Sequence, residues 1–308
     1  YWQADYTPVD AGFDSHRRDF RSVLDQAVRD ADGPATAAFL SGGTDSSTIV
    51  GALTAARGAP VDTFSIGFDA DGFDEMEYAR CAVERYGSRS HEYYLKPADI
   101  VTAIPIIARE YDEPFGNNSA VPTWFCARAA REAGFENMFA GDGGDEIFGG
   151  NARYAKQGLF EAYARLPAAL RCGLIEPIAR LPWLSDRFPL SKLKSYVTQA
   201  RVGLPLRLES YNFLHRTPLD RIFAADFIHA VDPATTDAAL TEVYERTNSD
   251  HYINRLMHLD LKFTLADNDL RKVGTMTEAA GIEAHYPLLD DRMVAFANHL
   301  PVDYKVRR

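Results

Sequence analysis

An apolar run broken by a glycine pair, and followed at once by a helical pattern, constrains this chain more than any other feature. In AAFLSGGTDSSTIVGAL, residues 37–53, a short apolar segment meets Ser41, Gly42 and Gly43, then Asp45, Ser46 and Ser47, then apolar residues at helical spacing. That order reads as strand, tight loop, helix. The glycines let the backbone approach a ligand closely and take positive φ. A helix starting near Asp45 or Ser46 directs its free N–H groups at whatever sits in the loop, and Ser41, Ser46 and Ser47 add hydroxyls. The result is an anion site or, with no ligand, a capped strand-to-helix turn. The lysine of the G-x-x-x-x-G-K-S/T phosphate loop is absent. Asp45 beside a polyphosphate is repulsive unless a cation lies between them, so it implies Mg²⁺ bridging the carboxylate to phosphate oxygens.

The surrounding sequence alternates strand and helix signals. Phe13–Arg29 repeats apolar residues at helical spacing, with Asp14 and Ser15 as caps. Residues 35–40, 61–68, 90–95 and 137–140 read as strands. Residues 46–57, 75–86, 99–111 and 120–133 read as helices, two of them ended by Gly58 and Gly87. Alternation of this kind predicts an α/β fold with a doubly wound parallel sheet. After about Tyr154 the strand signals fade. Helical patterns broken by Pro167, Pro177, Pro182, Pro189, Pro205 and Pro218 then run to the end. The expected organisation is a nucleotide-binding α/β core over about 33–150 and a mostly helical half over about 151–308.

A second glycine-rich acidic loop, FAGDGGDEIFGG, spans residues 139–150 at the end of the fourth predicted strand. Open α/β sheets bind ligands at the carboxyl ends of their strands. Gly141, Gly143 and Gly144 permit close approach, and Asp142, Asp145 and Glu146 supply carboxylates. By itself such a loop is equally a tight turn with solvated acids. Beside the first loop it completes a divalent-cation site, with Asp45 and Asp145 as the best pair of ligands. Lys272, in DLRKV, is a candidate for phosphate and otherwise a solvated surface charge, while His91 and His285 read as structural.

Charge and cysteines narrow the class. A formal net charge of -11 argues against nonspecific binding to nucleic acid or a membrane surface. No apolar run reaches the roughly 18 residues of a membrane span. Cys81, Cys126 and Cys172 share no metal or redox spacing, and so sparse and odd a set suits a reducing cytoplasm. The chain begins at Tyr1 without a signal peptide and reads as a fragment of something longer.

These residues resemble the synthetase domain of the asparagine synthetase family, within the ATP pyrophosphatase superfamily. The family carries an SGG-x-DSS pyrophosphate loop, an SIGF-type strand and a G-D/E-G-x-DE-x-FGG loop, which stand here at Ser41–Ser47, Ser65–Phe68 and Gly141–Gly150. FDEMEYA (Phe73–Ala79), DEPF (Asp112–Phe115) and Leu261–Asp291 match in the same order, so the resemblance covers nearly the whole chain. It implies a sheet of the adenine nucleotide alpha-hydrolase-like type. It also implies the chemistry: ATP is cut between its α and β phosphates, a substrate carboxylate is adenylated, and a nitrogen nucleophile displaces AMP to give an amide. ATP and Mg²⁺ are the expected cofactors. By the same resemblance adenine is held near Leu40 and Ile66–Gly67, Gly141 lies close to the ribose, and Asp142 stands beside the acyl adenylate.

The chain also departs from that pattern. The N-terminal glutaminase domain of the full family enzyme is absent, so ammonia or another amine donor, or a glutaminase domain or partner in a longer protein, is expected to supply nitrogen. A further family lysine that stabilises charge during adenylation falls beyond Arg308. Gly274, Thr275 and His285 stand where Asp, Arg and Arg are usual, and NNSAVPT, Asn117–Thr123, varies on the expected acceptor side. Aspartate going to asparagine is therefore the simplest of several expectations. The alternatives are an internal amine closing a ring, as in β-lactam synthetases or lasso-peptide cyclases, another ATP pyrophosphatase such as a tRNA-modifying or NAD-forming enzyme, and a degenerate nucleotide-binding homologue. Acidic charge without a basic stripe disfavours the tRNA-modifying enzyme.

Overall fold

In a computed structural model of the chain, the structure describes residues 2–68, 75–179, 190–209, 216–232 and 234–306. Tyr1, Phe73, Asp74, Pro182, Pro189 and Arg308, all singled out above, lie outside the described residues. By compactness the chain divides into two units, one formed by residues 7–148 and 260–304, the other by 1–6, 149–259 and 305–308.

The larger unit is the α/β one. Its strands are β1 (Thr36–Phe39), β2 (Asp62–Phe68), β3 (Arg89–Leu95), β4 (Asn137–Phe139) and β5 (Glu283–His285). They form a single parallel sheet in the order β3-β2-β1-β4-β5. Interleaved with them are α1 (Phe13–Ala31), α2 (Thr44–Arg57), α3 (Met76–Tyr86), α4 (Pro97–Glu110), α5 (Ala120–Glu132) and the short α6 (Gly144–Phe148). A π-helical segment, Leu261–Leu270, leads into α7 (Arg271–Ala279), and α8 (Asp291–His299) follows β5. Both faces of the sheet are covered, so successive residues of β1 and β4 enter different cores. Ala38 and Phe139 pack with Leu24 and Val28 of α1, Ile49 and Leu53 of α2, and Met293 of α8. Ala37 and Met138 pack with Phe64, Cys126, Ala127 and Ala130 on the opposite face. This is the doubly wound arrangement expected from the strand–helix alternation.

Three points differ from expectation. First, the half read as mostly helical also contains a strand, β5, which pairs Glu283, Ala284 and His285 with Asn137, Met138 and Phe139. The three residues of β5 are too few to show a strand period. Secondly, the compact α/β unit is not confined to about 33–150. It includes α1 and takes back residues 260–304, because β5 completes the sheet and α7 and α8 cover it. Thirdly, α1 starts from Gly12 at φ 80°, not from Asp14 or Ser15, and no side chain caps it.

The second unit is helical among its described residues. Phe160, Tyr163, Ala179, Val197 and Ala200 form one apolar cluster of it. Arg207, 2% exposed, is held there by Glu161 at 2.9 Å, the Gln157 side chain at 3.1 Å and the Val202 carbonyl at 2.8 Å. Lys305 belongs to this unit and lies over the Tyr6 ring at 5.2 Å. No described helix is long and apolar enough to cross a membrane.

Candidate active site

Strand order positions the site. The chain runs outward from β1 through β2 to β3, then returns to the other side of β1 with β4. Between β1 and β4 the direction reverses, which opens a crevice at their carboxyl ends. Thr36, Ala37 and Ala38 pair with Asn137, Met138 and Phe139, so the two glycine-rich loops leave the sheet side by side.

The loops are locked into each other. Gly43 precedes α2, whose start has no side-chain cap, so its first N–H groups stay available. Ser46 is nearly buried, and its hydroxyl donates to the Gly43 carbonyl at 3.3 Å while accepting the Ser41 N–H at 3.3 Å. The Ser41 hydroxyl accepts the Gly43 N–H at 3.3 Å. A Cβ on Gly141 would stand 2.6 Å from the Ser46 nitrogen, and one on Gly144 would stand 2.2 Å from Asp45 Oδ2. The second loop can therefore approach the first only through glycine. Gly144→Ala is expected to displace the Asp45 carboxylate and weaken Mg²⁺ binding about tenfold, read as loss of the Mg²⁺-dependent rise in Tm.

One cavity of about 490 Å³ is lined by Ser41, Gly43, Asp45, Ser46, Gly141, Asp142, Asp145 and Lys272, with Thr123, Glu146 and Asp269 among the others. A smaller one of about 280 Å³ is lined by Leu40, Phe64, Ile66, Pro122 and Thr123. Among the residues anticipated from the sequence, Gly42, Ser47 and Gly67 line neither. Gly42, at φ +86°, is needed where the loop meets the start of α3, since a Cβ there would come within 2.6 Å of the Ala79 nitrogen. Ser47 spends its N–H on the Gly43 carbonyl at 3.1 Å, and Gly67 makes room for the Tyr94 ring.

The larger cavity is short of positive charge. Its described lining sets Asp45, Asp142, Asp145, Glu146 and Asp269 against Lys272. Burial, then the neighbouring Asp145 and Asp142, push the Asp45 carboxyl up to about 6. Burial, with Asp145, Asp260 and Asp269 adding to it, pushes Glu146 up to about 7. Asp142 is also raised by burial, a rise opposed by Lys272. Lys272 Nζ lies 3.2 Å from Asp269 Oδ1 and 4.0 Å from Asp142 Oδ1. Among the described residues no group of three or more acidic, histidine or cysteine side chains is gathered as a finished metal centre. The donor set nonetheless fits Mg²⁺: hard carboxylate oxygens, mutually repelling and partly desolvated.

Two residues within the matched stretch Leu261–Asp291 are not singled out by the sequence: Asp269, which lines the larger cavity, and Tyr286, which lines a separate one with Gly274. Asp269 is recognisable only by its bond to Lys272. Tyr286, just past β5, has a buried hydroxyl without a hydrogen-bond partner, and burial followed by the charge of Asp142 raises its pKa. That hydroxyl lies 4.0 Å from where a Cβ on Gly274 would be, so the departure at 274 opens space beside it. His285 pairs with Asn137 at 3.1 Å across β5 and β4, and His91 stacks on Phe64, both structural.

Comparison with known proteins follows the same motifs. The family model described as asparagine synthase matches residues 19–308. A Mycobacterium tuberculosis protein described as a glutamine-hydrolysing asparagine synthetase is 30% identical over 277 residues, 88% of this chain and 40% of the relative. The glutamine-hydrolysing asparagine synthetase 1 of Bacillus subtilis is 24% identical over 100% of this chain and 47% of its own length. A Methanocaldococcus jannaschii protein described in the same terms is 35% identical over 178 residues, 56% of this chain and 33% of its own. The chain thus spans less than half the length of these relatives.

Proposed function

The chain belongs to the asparagine synthase family, and from that premise we propose that it is an ATP-dependent carbon–nitrogen ligase that adenylates a carboxylate and releases AMP and pyrophosphate. The observation that carries this is the interlocking of the two loops at the sheet's switch point, with Asp45 seated over Gly144. Base and ribose lie toward Leu40, Ile66 and Gly141, and the β and γ phosphates toward the start of α2. Asp45 and Asp145 would hold Mg²⁺, which supplies charge neutralisation on the leaving pyrophosphate when bound.

The chain's own groups do the rest. The acceptor carboxylate attacks the α-phosphorus, the bond to the bridging oxygen of the β-phosphate breaks, and pyrophosphate leaves against the α2 N–H groups and Lys272. The amine then attacks the acyl carbon and the bond to AMP breaks. Asp142, whose affinity for a proton is raised by burial, takes the amine proton. Nitrogen comes from ammonia, another amine, or a glutaminase domain or partner, in keeping with the glutamine-hydrolysing relatives.

Aspartate is the acceptor in the simplest version. A carboxylate on a larger body is favoured by one further cavity, described below. With Mg²⁺, ATP, ammonia and candidate acids, the expected products are AMP and pyrophosphate. ADP and phosphate instead would sink the proposal.

A further inference from the structure

A larger cavity of about 1030 Å³ adjoins the reaction centre in the α/β unit. Ile100, Ile104 and Ile107 of α4, Leu95 of β3, Phe115 and Val121 give it apolar walls. Its volume is at the upper end for sites that take small organic molecules. The helix α4 is unusual for an ordinary surface helix. It buries Ala103 while Ile100 and Ile104 stay 44% and 56% exposed toward the cavity, so the apolar face is presented to a space rather than packed.

The cavity touches the reaction centre along two seams. One is the start of α5: Val121 and Pro122 line this cavity, Pro122 and Thr123 the 280 Å³ one, and Thr123 the phosphate cavity. The other is the loop before α5. Tyr111 donates to the Lys272 carbonyl at 3.5 Å, and the Asn117 side chain donates to Asn268 at 3.1 Å, one residue before Asp269. The cavity's neutral polar groups, Asn117, Asn118 and Ser119, belong to this same loop, as do the lining carboxylates Asp112 and Glu113, which are both ion-paired with Arg271. An apolar chamber with neutral amide and hydroxyl groups at one end is built for a molecule with one polar end and one apolar end.

We propose that this cavity holds the apolar body of the acceptor, and that the acceptor is a carboxylic acid bearing an aromatic or branched aliphatic group rather than free aspartate. This rests on the adenylation chemistry proposed above. The acid's carboxylate reaches past Asn117 toward Lys272 and Asp142, while its apolar end lies among the α4 isoleucines. Free aspartate, small and charged throughout, would leave those walls wet.

The test uses the full chain with Mg²⁺ and a non-hydrolysable ATP analogue. Binding of 4-phenylbutyrate, 4-methylpentanoate and aspartate is measured by calorimetry and ligand-observed NMR, and ATP–pyrophosphate exchange is measured with ATP itself. The expected result is that at least one apolar acid binds ten times tighter than aspartate and drives exchange. Ile104→Trp, which fills the chamber from an exposed position, weakens that binding and lowers exchange at least tenfold. Val101→Trp, 68% exposed on the same helix and outside the cavity lining, leaves both unchanged. The proposal is overturned if neither apolar acid binds, if aspartate binds as tightly, or if Ile104→Trp has no effect. Exchange driven by aspartate alone overturns it and leaves the ligase reading standing. ATP cleaved to ADP and phosphate overturns that reading, and this one with it.

Discussion

Asp45→Asn is expected to reduce pyrophosphate release about 10³-fold and, in the same protein without metal, to raise Tm. The first effect follows from the proposed role of Asp45 in holding Mg²⁺, a charge stabilisation worth several kcal/mol in the transition state. The second follows from the direction of the Asp45 shift. Its carboxyl rises from an ordinary 3.8 to about 6 because burial and the nearby Asp145 and Asp142 disfavour the ionised form. A raised folded-state pKa means that the folded protein binds the proton more tightly than the unfolded chain. The contribution of this carboxyl to stability is therefore fully present below about 3.8 and is lost as pH rises through about 6. Asparagine, always neutral, escapes that loss. Asp45 is partly exposed, so after allowance for solvent screening the gain is about 1 kcal/mol, or about 2–4 °C in Tm. Mg²⁺ should restore stability above pH 6 to the wild type and not to the variant. A variant that keeps its turnover, or melts lower than wild type at pH 7.5 without metal, would refute the placement of Asp45.

Lys272→Met is the second large effect, and its two consequences can be separated. Lys272 is 14% exposed and lies between Asp269 and Asp142. Removing it leaves two partly buried carboxylates facing each other, which destabilises by about 3 kcal/mol. It also removes the positive charge proposed to meet the leaving pyrophosphate and is expected to lower turnover by about 10²–10³-fold. Adding Asp269→Leu removes one of the stranded carboxylates. The double variant should regain most of the lost Tm and none of the lost turnover. If turnover returns together with Tm, Lys272 is only a structural counter-ion. Because Lys272 opposes the rise of the Asp142 pKa, the acid limb of the pH–rate profile should also move upward in Lys272→Met.

Most of what defines the crevice was legible because its signals are local. Gly42, Gly43, Gly58 and Gly87 punctuate the chain within a few residues of the strands and helices they end. The two loops could be placed on one sheet edge because parallel strands of an alternating fold all point their carboxyl ends the same way. What escaped was created by tertiary contact. β5 exists only because β4 offers it an edge, and its three residues carry no period of their own. Asp269 becomes part of the site through Lys272, three residues on, and Tyr286 meets the space beside Gly274 in a separate cavity. The isoleucines of α4 read as one more amphipathic face, and nothing in their spacing says that the face looks onto a chamber instead of a neighbour.

The placement of β5 has a consequence for the chain as it is made. β4 emerges from the ribosome about 140 residues before the strand that covers its outer edge. At about 5–20 residues per second, that edge waits roughly 7–30 s with its backbone N–H and C=O groups unpaired. A bare parallel edge is a template for another nascent chain. Shortness is its natural defence: β4 has only three residues, Asn137–Phe139, and offers a stray partner few bonds.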